Sequence, residues 1–328
     1  MTRVVLLCAL LICILAWASL AQGEIVLPGR DIVAALLGED GVPRATSMVV
    51  RDVRLPRIIL ALLAGMALAV AGAITQTLMR NPLAEPGLLG VNAGAALSAL
   101  VVIVFLRIGS PQLIALASFA GALAAALTIY LLALRGGASP LRVILIGIGL
   151  SAFCGGLAQV FTVFGEVAAV QQAQVWLAGT VYLANWEKVA MLALWCLPAI
   201  AIATMFSRTL DLTALGEEAA AALGQPVQTA RALLLLLCVF LAAGAVAATG
   251  LIGFVGLVSP HIARALVGHR HARLLPVSAL VGGGLLMGAD LVGRTVIAPA
   301  QLPAGLVTAL IGAPALAYIF WKTRHETS

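Results

Sequence analysis

Ten stretches of the chain are each about as long and as apolar as a membrane-crossing helix, and that repetition leaves few folds open. A hydrocarbon core about 30 Å thick takes roughly 20 apolar residues per helix. Such stretches lie near 3–22, 57–78, 88–106, 112–134, 141–163, 189–206, 230–249, 252–267, 274–296 and 304–321. The eighth is short and Gly-rich. The expected fold is an all-α integral membrane bundle of about ten helices, with residues 1–328 forming one polytopic domain. Composition agrees, because only 10% of residues are charged and 62% are hydrophobic, against roughly 25% charge in a soluble domain. That excludes a soluble enzyme, a disordered chain and a nucleic-acid binder.

Ser19-Leu20-Ala21 resembles a signal-peptide cleavage site. The apolar run from Val4 to Ala21 is longer than a usual signal core, so a retained helix is expected. With the N-terminus on the cytoplasmic side, eleven basic residues fall inside, among them Arg80, Arg135, Lys322 and Arg324. Eight fall outside, and five of these share the loop between the first two spans with Glu24, Asp31, Glu39, Asp40 and Asp52. Away from that neutral loop the ratio is eleven to three. The positive-inside rule therefore predicts both ends in the cytoplasm.

The two lysines, Lys188 and Lys322, follow Glu187 and Trp321, so no Walker A loop is present. The five cysteines sit in apolar runs without a CxxC, which points to small buried residues rather than a disulfide or zinc framework. Gly284 with Gly288, and Gly65 with Ala69, give small-residue spacings suited to close helix contact.

Three connections carry more information than plain loops. Arg80–Gly90 holds two prolines and two interior glycines that fix an irregular backbone. Residues 207–229 contain Leu212–Leu223, one short helix or two, with Glu217 and Glu218 exposed and Gly224 as a stop. That element suits a membrane surface or a soluble partner equally, although paired glutamates disfavour anionic lipid. Phe164–Lys188 is expected to form a short outer helix, with Trp176, Tyr182 and Trp186 in the interfacial belt.

Asp290 and Arg294 share a helix face four residues apart, as an internal ion pair would. Arg54, Arg57 and Arg294 lie at one level, and three such cations from two helices suit a docking patch for acidic residues. His261 reads as a buried, hydrogen-bonded histidine, and His269 and His271 as solvated loop residues. No Ser-His-Asp, HExxH or paired-carboxylate pattern stands out. Interior acids are few, Asp290 with Glu85 at an edge, which disfavours an ion-coupled secondary transporter, the rival class.

Arg54-Leu-Pro-Arg57, the run Arg80–Gly90 and Leu210-Asp-Leu-Thr-Ala-Leu-Gly-Glu-Glu218 with Leu223-Gly224 together resemble the FecCD-type permeases. So do Gly253–Arg264, Leu274-Leu-Pro276, Ala289-Asp290, Arg294, Gln301–Gly305 and Ile311-Gly-Ala-Pro314. The resemblance covers the chain from about residue 50 onward. Gln301 stands where that family usually has Glu, and Ser259 where Val or Ile usually precedes the Pro-His pair. Ser139-Pro140-Leu141 does not match the small polar gate of the vitamin B12 permease.

This family comprises the membrane subunits of ABC importers for ferric siderophores, haem and vitamin B12. The resemblance implies a vitamin B12 importer permease-like fold in the bacterial inner membrane, a transport subunit rather than an enzyme, with no cofactor in this chain. It implies a second permease subunit, with a homodimer favoured over pairing with a sister permease, two cytoplasmic ATPases carrying ATP and Mg, and a periplasmic binding protein. Arg54, Arg57 and Arg294 match binding-protein contacts. Leu215, Gly216, Glu217, Glu218, Leu223 and Gly224 match the coupling helices, and Asn81 and Leu83 match positions near the cytoplasmic gate. Trp176-Leu-Ala-Gly-Thr180 with Tyr182 and Trp186 looks more like the siderophore branch than the cobalamin branch.

Overall fold

A computed structural model describes residues 1–23, 25–39, 42–134 and 140–326. Glu24, Asp40, Arg135 and Ser139, named above, lie outside these residues. The chain runs α1 (Thr2–Ala21), α2 (Gly29–Leu37), α3 (Arg44–Met48), α4 (Leu55–Leu78), α5 (Val91–Leu100), α6 (Pro111–Leu134), α7 (Pro140–Phe164) and α8 (Val167–Leu177). It continues through α9 (Trp186–Met205), α10 (Ser207–Ala214), α11 (Glu217–Ala222), α12 (Val227–Thr249), α13 (Val255–Val267), α14 (His271–Thr295) and α15 (Ala304–Glu326).

Among the described residues, seven helical stretches are long and apolar enough to cross a membrane. Three more of the ten expected spans are shorter apolar helices: Val91–Phe105, Val255–Val267 and Ala304–Ala317. The 13 residues of α13 extend only about 20 Å, less than a hydrocarbon core. This helix therefore starts inside the bundle rather than at its surface.

The long helix Arg44–Leu78 is the axis of the fold. A π-helical stretch, Val49–Arg54, joins α3 to α4, and Pro56, which has no N–H to give the preceding turn, follows it in the first turn of α4. Nearly every residue of α4 is buried, because α14, α12, α13 and α9 all pack on it. By contrast α1 and α7 are mostly exposed and peripheral. One face of α1 nevertheless reaches α14, where Ile12 and Leu15 lie beside Gly284.

Small residues set the closest approaches. A Cβ on Gly65 would lie 2.2 Å from the carbonyl oxygen of Gly282, and one on Gly72 would lie 1.8 Å from that of Gly256. The α4–α14 contact thus uses Gly65 and Ala69, as expected, but against Gly282 and Gly283. Gly284 makes ordinary contacts, and a Cβ on Gly288 would meet nothing within 4 Å. Spacing alone picked the wrong glycines on α14, because the helix turns its 282–283 edge towards α4.

The Arg80–Gly90 connection folds back into the bundle. Pro86–Leu89 forms a 3-10 turn, Pro86 packs by Gly256, and the carboxylate of Glu85 accepts the backbone N–H of Phe254 just before α13. Irregular backbone at such depth is tolerated where protein surrounds it.

Candidate functional site

The pair α4–α14 carries a polar cluster at each end. At the first, Arg57 meets Asp290 through Nη2–Oδ1 at 2.8 Å and through Nε to both carboxylate oxygens at 3.0 Å. Its Nη1 donates to Gln301 Oε1 at 2.9 Å, and its guanidinium lies 5.5 Å from the ring centre of Tyr182. Arg294 Nε stands 3.9 Å from Asp290, and its Nη2 donates to the Ser19 carbonyl at 2.7 Å. Arg54 donates to the carbonyls of Leu20 and Ile25.

All three arginines are buried, at 6%, 7% and 5% exposure for Arg54, Arg57 and Arg294. The sequence reading placed them together, and so does the fold. They are not free arms, however, because each is tied to carbonyls or to Asp290. The Asp290–Arg294 pair expected from helical spacing is present at 3.9 Å, but Arg57, from another helix, takes the short bidentate geometry. Arg57 and Arg294 both face the Asp290 carboxylate while Arg54 is held by carbonyls, so among the described residues three formal positive charges stand against one negative. A cavity of about 370 Å³ opens on them, lined also by Ile25, Tyr182 and Gln301. Tyr182 was assigned to the interfacial belt, and its place over Arg57 had no signal in the local sequence.

At the opposite end, α10 and α11 form a two-helix segment between α9 and α12. Gly216 at φ +101° and Gly224 at φ +81° bracket α11, conformations that strain any side chain bearing a Cβ. Leu215 and Leu223 are each 62% exposed, and Glu218 is exposed. Glu217 instead pairs with Arg231 of α12. Gln225 binds Thr213 Oγ1 at 3.0 Å, which holds the segment's end against α10. The outward face is thus apolar with one acidic residue.

Asn81 and Leu83 lie half-buried beside that segment, and Asn81 Oδ1 accepts the Leu83 N–H at 2.9 Å in a tight turn. Around them, Gln76, Arg80, Arg264, His269 and His271 line a basic cavity of about 340 Å³. His271 is not a solvated loop residue. It is the first residue of α14, is 4% exposed and bonds to both Asp211 and Thr77.

Paired apolar helices, one of them wholly enclosed, with charged clusters held at the two ends, are the build of a multi-pass membrane transport protein. The chain belongs to the FecCD transport family, whose model matches residues 10–322. It is 39% identical over 320 residues to the iron(3+)-hydroxamate import system permease protein FhuG of Bacillus subtilis, covering 95% of each chain. It is 40% identical over 282 residues to the hemin transport system permease protein HmuU of Yersinia pestis, covering 84% of each. A solved metal-chelate type ABC transporter in an inward-facing conformation superposes with a TM-score of 0.88 at 31% identity, over 98% of this chain and all of the other.

Proposed function

We propose that this chain is the permease subunit of an ATP-driven importer of a ferric siderophore. A binding protein delivers the chelate at the arginine end, which faces the periplasm. An ATPase on the cytoplasmic side drives alternating access through α10 and α11. In this reading two copies of the chain pair in the bacterial inner membrane, each with both termini in the cytoplasm, and ATP and Mg are held by two ATPase copies. Asn81 and Leu83 border the cytoplasmic gate.

The observation that carries the reading is the excess positive charge at one end of α4–α14. Acidic side chains of a delivering protein would complete it, and opposite fields also speed encounter. Exposed Leu215 and Leu223 support the coupling role, since apolar knobs on an otherwise polar turn suit a partner's groove. The face of α7 around Gly149, Gly155 and Gly156, where an added Cβ would meet nothing, leaves room for close contact with a second copy.

The test is reconstitution of the permease with its ATPase in proteoliposomes, supplied with binding protein carrying a ferric siderophore, hemin or cobalamin. ATP-dependent accumulation of the siderophore supports the proposal. Accumulation of hemin or cobalamin instead replaces the substrate. Uptake driven by a proton gradient and indifferent to ATP would transfer the protein to the ion-coupled class.

A further inference from the structure

Asp211, His271 and Thr77 come from three elements and meet in one chain of hydrogen bonds. Asp211 lies on α10, outside the membrane-length helices. Its Oδ1 accepts the backbone N–H of His271 at 2.9 Å and lies 2.6 Å from the ring Nδ1. The ring Nε2 lies 2.7 Å from Thr77 Oγ1 in the last turn of α4. That hydroxyl is also 2.8 Å from the Ala73 carbonyl, to which it donates.

The Asp211 carboxylate accepts from Nδ1–H, and Nε2 shares a hydrogen bond with Thr77 Oγ1. Charge-assisted bonds of this kind are short and stiff. The His271 side chain is 5% exposed and that of Asp211 is 38% exposed, so the link runs from the surface segment into the bundle.

What the link joins matters more than its strength. Thr77 ends α4 and His271 begins α14. The same two helices touch backbone to backbone at Gly65 and Gly282, and are joined again by Arg57 and Asp290 at the far end. A displacement of α10 is therefore delivered to a stiff pair whose other end holds the arginine cluster. We propose that Asp211, His271 and Thr77 are positioning residues that carry movement of the α10–α11 segment into α4 and α14. The proposal rests on the importer reading above.

The test uses the whole permease–ATPase complex in proteoliposomes, with binding protein loaded with a ferric hydroxamate siderophore. Thr77→Val removes the hydrogen-bond partner of Nε2 at constant shape, Asp211→Asn discharges the link, and Thr77→Ser retains the hydroxyl. Three quantities are read: copurifying ATPase, basal ATP hydrolysis, and its stimulation by loaded binding protein. Thr77→Val and Asp211→Asn are expected to copurify ATPase normally and keep basal hydrolysis. They should lose stimulation by about fivefold or more, the lower end of usual coupling energies, and Thr77→Ser should restore it. Unchanged stimulation in both variants overturns the proposal. So does a parallel loss of ATPase association, which would make the link a structural anchor only. Should Thr77→Val fail to accumulate, the half-exposed Asp211 site still decides. A wild-type complex that loaded binding protein does not stimulate would overturn the importer reading itself.

Discussion

Arg57 and Asp290, 233 residues apart in the chain, form a bidentate ion pair with both side chains buried, Nη2 and Oδ1 standing 2.8 Å apart. Removing one member leaves the other charge without its partner, which typically costs about 3–5 kcal/mol. Asp290→Ala is therefore expected to lower the thermal unfolding midpoint of the purified permease strongly. Arg57→Met with Asp290→Leu should recover much of the loss. Unfolding in detergent, followed by intrinsic tryptophan fluorescence, reads both, and equal losses in the single and double variants would count against the pair as the source.

The same burial makes charge reversal of Arg54 or Arg57 a poor probe of docking, because it would break the fold's own bonds. Gln301→Glu is cleaner. Its oxygen can still accept from Arg57 Nη1, while the charge around the cavity becomes one unit less positive. Binding-protein affinity is expected to fall by about 3- to 10-fold at low salt, with the difference shrinking as salt rises. Surface plasmon resonance at two ionic strengths measures this. A salt-independent change would point away from electrostatic docking.

Most of the fold was legible because length and hydropathy directly limit what can cross a bilayer. All ten expected spans coincide with helices, and Gly224 marked the end of α11, while the break at Gly216 was left open as one helix or two. What failed to show was tertiary. Helical spacing gave the 3.9 Å pair of Asp290 with Arg294, but not the closer partner, Arg57, which comes from α4. His271 read as loop because nothing local announces that α14 begins there, and its partners lie at 77 and 211. The α14 glycines shared one composition, and only the helix's rotation chose 282 and 283 over 284 and 288.

That rotation gives a paired prediction. A methyl on Gly72 would sit 1.8 Å from a backbone oxygen of α13, and no flexible side chain is there to move aside. Gly72→Ala is expected to cost about 1–3 kcal/mol or more, as overpacking does. Gly288→Ala meets open space and should be neutral, or slightly stabilising through helix propensity. Thermal unfolding of the two variants side by side checks the contrast, and equal effects would refute the packing described.

The segment α10–α11 separates stability from association. Glu217 pairs with Arg231 inside the chain, so Glu217→Gln removes the charge from an internal bond. Its half-exposed carboxylate limits the stability loss to about 1 kcal/mol. Leu215 and Leu223, each 62% exposed, contribute little to the chain's own core. Leu215→Glu with Leu223→Glu should therefore leave the unfolding midpoint of the isolated permease within a degree or so, since exposed substitutions rarely exceed about 0.5 kcal/mol. Association with the ATPase should weaken by tenfold or more, because two buried leucines at an interface are worth roughly 1.5–3 kcal/mol each. Copurification of the ATPase and melting of the permease alone read the two effects separately. If both variants change stability and leave association intact, the outward face of α10–α11 is not a docking surface, and the ATPase must seat elsewhere on that end of the bundle.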